Sequence, residues 1–149
     1  MPKHLKKLTV LCLAAGFILA SSFTYAEKQK HPIDTDTEAC LDKDSSTAGM
    51  ITCLDEAIKS WDAELNRVYK ALQSELNANA QKELKEAQRQ WIKYRDAEFE
   101  AIGALYRSIY ETMGGGTMWS TWAVGAKEEI VKQRVLELTS YLNVFSEDN

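Results

Sequence analysis

Between Leu84 and Ile109, steps of four and three residues land on Leu84, Gln88, Trp91, Arg95, Glu98, Ile102, Leu105 and Ile109. The stretch 84–98 contains no Gly or Pro and is rich in good helix formers. It predicts the middle of a long helix carrying a heptad seam. The seam is apolar at its ends, but its centre presents an amide, a cation and an anion. Burying such a centre is costly unless each polar group finds a partner. Whatever this chain folds into must supply those partners.

A second seam precedes it. Leu54, Ile58, Trp61, Leu65, Val68 and Leu72 follow strict alternating steps of four and three, and Leu76 extends the same face. This predicts a helix from about Thr47 to Asn77, with Gly49 in its first turn. Asn77-Ala-Asn79-Ala punctuates the chain, Asn79 being the candidate N-cap of the next helix. That helix runs to about Tyr110, roughly 45–48 Å at 1.5 Å per residue. So short a linker forces the two helices antiparallel. Folding near residue 78 or 79 sets Asp62 opposite Arg95, and Leu65 or Asn66 opposite Trp91. An Asp62–Arg95 pair would fix the register of the hairpin. Asp62, Asn66, Gln88, Arg95 and Glu98 are therefore expected to serve the fold rather than catalysis, as is Arg134 on the last helix.

Met113-Gly-Gly-Gly-Thr117 breaks the helical pattern, since three successive glycines disfavour a helix. A third helix is predicted from about Thr121 to Asn143, with Val131, Val135, Leu138, Leu142 and Phe145 on one face. The predicted class is all-α: a long antiparallel hairpin, a third helix completing a three-helix bundle, and a short helix over Thr37–Lys43 capped by Thr35 or Asp36.

The ends set the compartment. Lys3, Lys6 and Lys7 precede an apolar run from Leu8 to Ala20, and Thr24-Tyr25-Ala26 places small residues at cleavage offsets. The run is too short for a comfortable membrane span. The expectation is an export signal over 1–26, cut after Ala26, and a periplasmic or secreted product with no membrane span. Cys12 follows Leu11 where a lipoprotein needs a small residue, and it leaves with the signal. Removing 26 of 149 residues leaves 123, enough for one domain with its own core. Residues 27–36 are expected to be a disordered lead-in, 37–145 the domain, and 146–149 a frayed tail.

All 22 acidic residues but only 15 of the 18 basic ones lie beyond Ala26, giving the mature chain a net charge of −7. That balance argues against a nucleic-acid partner and permits a basic protein. Cys40 and Cys53 remain as an even pair in an oxidising compartment, so a disulfide is expected. It would stabilise by about 3 kcal/mol in the chain-entropy model. A metal site would need more ligands than His31, the one histidine left. Asp34-Thr-Asp36-Thr-Glu38 resembles the start of a calcium loop but has Ala39 where the turn glycine belongs.

Catalytic templates find no support. One histidine allows no triad and no histidine-based metal centre. The glycine run lacks the Gly-Lys-Ser/Thr of a phosphate loop. No cofactor, metal site or catalytic residue is predicted. The stretch that stands out is the connector, unusually apolar for a loop. Met113, Gly115, Thr117, Met118, Trp119 and Trp122 are the candidate partner-binding residues: a mobile loop offering an apolar wedge to a protein, or a Trp platform to a sugar ring. The plainer alternative is that these aromatics plug the end of the bundle.

Taken in order, Cys40 and Cys53, Trp61-Asp62-Ala-Glu-Leu65-Asn66-Arg-Val-Tyr69-Lys, Leu84-Lys-Glu-Ala-Gln88-Arg89-Gln-Trp91-Ile-Lys-Tyr94-Arg95-Asp96, Gly114-Gly-Gly-Thr117 and Gln133-Arg134 with Leu136 and Leu138 form a pattern. It resembles the LprI-type lysozyme-inhibitor N-terminal domain family of exported bacterial helical proteins. The resemblance covers nearly all of the mature chain. It implies a non-enzymatic binding protein whose partner is a lysozyme or related muramidase. The second reading is an envelope module that binds cell-wall glycan or another envelope protein. Members often carry a further cysteine pair; the corresponding positions here are Phe99 and the neighbourhood of Ala126, so no second bridge is implied.

Overall fold

Ser46 has an extended backbone, and its side chain accepts the Gly49 N–H at 3.0 Å, starting a helix over Thr47–Glu75. In the computed structural model, which describes residues 30–147, it is the second of four helices: α1 (Pro32–Lys43), α2 (Thr47–Glu75), α3 (Ala78–Thr112) and α4 (Met118–Glu147). No strand occurs among the described residues. The expected export signal, like Asp148 and Asn149, lies outside them.

The predicted apolar face of α2 is the heart of the core. Trp61, Leu65, Val68 and Leu72 are buried with Ala57, and they meet Val131, Val135 and Leu138 of α4. The two helices run parallel at a constant offset. Thr47 bonds Thr117, Leu54 underlies Gly125, and Lys132 lies over the Trp61 ring at 5.6 Å. Phe145, at the far end of α4, is 36% exposed and lies outside this core.

The main packing partner of α2 is therefore α4, the helix after next in the chain, rather than its hairpin neighbour α3. The reason is in the α3 seam. Val131, Val135 and Leu138 can be buried without penalty, whereas the centre of α3 carries Gln88, Arg95 and Glu98. Among all α3 residues only Gln88 is buried, and α3 contributes Leu84, Trp91 and Phe99 as partly buried side chains against the α2–α4 core. Leu105 of the expected seam is 56% exposed.

The polar seam does find partners. Arg134 of α4 donates Nε–H to Gln88 Oε1 at 3.1 Å and Nη1–H to Glu137. Arg95 donates to Asp62 across α2 and α3 at 3.4 Å and to its neighbour Asp96 at 2.7 Å. Asn66 turns back along its own helix to the Asp62 carbonyl at 2.8 Å and takes no part in the α3 contact. Glu98 is half-buried and makes no hydrogen bond or ion pair among the described residues. Phe99 receives Lys127 over its ring at 5.6 Å. A cation–π contact thus joins α3 to α4.

Three helix starts differ from expectation, each for a local reason, and α4 continues to Glu147, past the expected end at Asn143 and into the expected frayed tail. α1 begins at Pro32, with His31 as N-cap accepting the Ile33 N–H on Nδ1, because a proline at the first helical position has no N–H to leave unpaired. Residues 32–36 are accordingly helical. Asn77, not Asn79, caps α3 by accepting the Ala80 N–H at 3.0 Å, and the Gln81 amide reaches back to the Gln73 and Leu76 carbonyls at the end of α2. α4 starts at Met118, since nothing after Gly116 opposes a helix.

α1 is fixed to α2 by the Cys40–Cys53 disulfide and to α4 by Lys132, which donates to Asp34 at 2.6 Å. His31 lies against Trp61 with ring centroids 4.5 Å apart. Burial works against the Lys132 charge, but the hydrogen-bonded Asp34 carboxylate, with Glu129 and Glu128 behind it, holds its pKa above the ordinary lysine value. Burial also pushes the Glu128 carboxyl above its usual range, against the pull of Lys132. The Trp61 indole N–H is near enough to favour the charged Glu128 but forms no well-aligned bond with it.

Two stability measurements test this account. Leu138→Ala should cost about 2–5 kcal/mol in denaturant unfolding, whereas Leu105→Ala should stay within about 0.5 kcal/mol. A carboxyl whose folded pKa is raised loses stability as pH climbs from its unfolded pKa through its folded one. Glu128→Gln should therefore raise the melting temperature at pH 7, and the gain should vanish as pH falls to the ordinary glutamate range.

Candidate functional site

α3 ends with the Met113 N–H on the Ile109 carbonyl at 2.8 Å, followed by a Gly115 N–H bond to the Tyr110 carbonyl at 2.9 Å. Gly114, Gly115 and Gly116 have φ of 80°, 94° and 117°. Side chains rarely adopt that backbone region, so this reversal depends on glycine. The turn brings the C-terminal end of α3 and the N-terminal end of α4 together beside the start of α2, where Thr47 donates to Thr117 at 3.0 Å.

The six candidate residues divide into two groups. Trp119 is half-buried, and its indole N–H donates to the Gly115 carbonyl at 3.0 Å. Its ring meets Trp122 edge-on, centroids 5.2 Å apart. Gly115, Thr117 and Trp119 thus brace the turn. Met113, Met118 and Trp122 are 67%, 47% and 52% exposed, so the turn presents its apolar atoms outward. The backbone is held by hydrogen bonds on both sides of the glycines, which makes it a shaped projection.

Beside the turn, between α3 and α4, lies a hollow of about 330 Å³ whose lining includes Gly103, Tyr106, Arg107, Tyr110, Trp119 and Ser120. Only Trp119 of these was singled out from the sequence. The signal was present: Gly103, Tyr106, Arg107 and Tyr110 stand at i, i+3, i+4 and i+7 on one helix face. A further groove of about 500 Å³ between α3 and α4 contains Trp91, Tyr94, Gln133 and Arg134. Its chemistry is already engaged internally, Arg134 with Gln88 and Glu137, and Gln133 with Glu129. Asp62 and Arg95 pair on the flank, away from the turn.

No group of three or more His, Cys, Asp or Glu is arranged to hold a metal ion among the described residues. No described helix is long and apolar enough to cross a membrane. The end of the molecule offers exposed apolar side chains at the turn and a hollow beside it.

The family profile described as "Lysozyme inhibitor LprI" matches residues 39–138, from the disulfide to the last core leucine. The chain belongs to the LprI lysozyme-inhibitor family. Its members are inhibitors rather than enzymes. An uncharacterised protein of Rhizobium meliloti is 34% identical over an alignment 99 residues long that covers 58% of this chain and 66% of that protein. A crystal structure of an uncharacterised protein from Burkholderia thailandensis is similar with a TM-score of 0.66 and 33% identity, over 79% of this chain and 57% of that one. This LprI-family chain thus spans somewhat less than two thirds of each.

The glycine turn gives a direct test. Gly115→Ala places a Cβ at a φ of 94° and should destabilise by about 1–3 kcal/mol. Trp119→Phe, which removes the bond to the Gly115 carbonyl and trims the ring that meets Trp122, should loosen the same turn, seen as faster amide exchange at Gly115 and Gly116.

Proposed function

We propose that this LprI-family chain is exported, with its signal removed near Ala26, and inhibits a lysozyme or related muramidase by binding without catalysis. The observation that carries the reading is the turn: three outward apolar side chains, Met113, Met118 and Trp122, on a projection braced by the Trp119–Gly115 bond. A braced apolar projection suits a cleft, because little conformational freedom is lost when it is covered. Gly115, Thr117 and Trp119 hold the projection, and the two methionines with Trp122 make the contact.

Charge favours the same partner class. Lysozymes are commonly basic, and a mature net charge of −7 accelerates their encounter and makes it sensitive to salt. Specific affinity then rests on the apolar anchors. The family match supports the inhibitory role.

Lysozyme turnover of a cell-wall substrate, measured with and without the purified chain, is the test. Stoichiometric inhibition should appear and weaken as salt rises. Met113→Ala, Met118→Ala and Trp122→Ala should each weaken it, with Trp122 the largest at about tenfold or more. Unchanged inhibition in all three variants would move the contact elsewhere, and no inhibition by the folded, disulfide-intact chain would overturn the role itself.

A further inference from the structure

Gly103 lies in the interior of α3, where glycine weakens a helix relative to alanine. Two ordinary reasons for such a glycine are missing. Its φ is not positive, and an added Cβ would meet nothing within 4 Å. Its effect is to leave open the hollow between α3 and α4, of about 330 Å³. Tyr106, Tyr110 and Trp119 supply aromatic rings, and Ser120 and the two tyrosines supply hydroxyls.

Arg107 gives the hollow its charge. Of the five arginines, Arg67, Arg89, Arg95 and Arg134 all hold carboxylates at 2.6–3.1 Å. Arg107 holds none among the described residues, although the mature chain carries a surplus of acids. A free guanidinium beside an aromatic hollow is set to receive a carboxylate attached to a ring.

We propose that this hollow binds a carboxylate-bearing amino sugar of the cell-wall glycan, its ring on the aromatic walls and its carboxylate on Arg107. A peptide fits less well. Peptide recognition draws on free backbone donors and acceptors, and the α3 wall from Gly103 to Tyr110 is helical, with the Tyr110 carbonyl at its end taken by the Gly115 N–H. Side-chain rings and hydroxyls are what a sugar uses. The site adjoins the proposed inhibitory surface and shares Trp119 with it, but its contact is a different one, because a hollow cannot enter an enzyme cleft. The proposal goes beyond inhibition and does not depend on it: the chain would hold glycan whose lactyl carboxylate is free of stem peptide.

The test is calorimetric titration of the full exported chain with N-acetylglucosaminyl-N-acetylmuramic acid, beside di-N-acetylchitobiose, which lacks the carboxylate. Saturable binding is expected, about tenfold tighter for the carboxylated sugar. Arg107→Gln should erase that preference and leave chitobiose binding unchanged. Gly103→Leu should abolish binding of both sugars with lysozyme inhibition intact, and Tyr106→Ala should weaken both if the leucine variant fails to fold. No saturable binding by the natural chain overturns the proposal, as does a preference that survives Arg107→Gln. Loss of lysozyme inhibition in a folded Gly103→Leu chain that still binds sugar would also overturn it, by assigning the hollow to the protein interface.

Discussion

The contact of Trp61, Leu65, Val68 and Leu72 with Val131, Val135 and Leu138 determines where everything else in the molecule lies. These side chains come from helices separated in sequence by all of α3, so their contact closes the chain upon itself. Trp61 is fully buried yet has polar groups around it: His31 against its ring, Lys132 above it and Glu128 near its N–H. The core thereby also positions α1. The disulfide holds one part of α1 to α2, and the Asp34–Lys132 pair holds its first turn to α4. That pair is half-buried, so its value lies in orientation more than in net energy.

Once α4 occupies the apolar face of α2, α3 can only be a partial partner. Its seam is amphipathic with a charged centre, and the structure uses it that way. Gln88 is inserted to meet Arg134, Arg95 reaches Asp62, and Trp91 and Phe99 supply the apolar contact. Trp91 also lies beneath both guanidinium groups, within 5.6 Å of Arg95 and 5.9 Å of Arg134. At the other end of the helix this arrangement runs out. α3 is 35 residues long against 29 for α2, and its last turns carry Leu105 and Tyr110 half exposed. The hollow and the projecting turn both arise there, where α3 no longer has a continuous core to cover.

Much of this was legible in the chain. The spacing of Leu54 to Leu72 identifies the buried face of α2, Val131 to Leu142 identifies that of α4, and the three glycines mark the reversal. Cys40 and Cys53 are a pair by count and compartment. Periodicity marks a face but not the face it meets, which is why the hairpin looked like the primary pairing. Deciding between α3 and α4 as the partner of α2 needs the cost of burying Arg95 and Glu98 weighed against an all-aliphatic rival. The caps were harder, because Asn77 and Asn79 are chemically equivalent candidates and His31 is an uncommon cap. Trp119 was legible as important, but not as a brace: its bond to the Gly115 carbonyl depends on three positive φ angles that residue identity permits without specifying.

The turn and the adjacent hollow share a single side chain, Trp119, and this division has a physical logic. A surface that enters a cleft must be apolar, projecting and already ordered, and glycines in fixed left-handed conformations give a short reversal that shape. A surface that receives a sugar must be concave, with rings and hydroxyls on its walls, and that requires a missing side chain. Gly103 supplies the absence on α3, while the turn supplies the wall by delivering Trp119 across from Tyr106 and Tyr110. The same indole that donates its N–H to steady the projection therefore lends its ring to the hollow. Coupling between the two proposed sites would run through this one residue, whose hydrogen bond fixes its orientation for both.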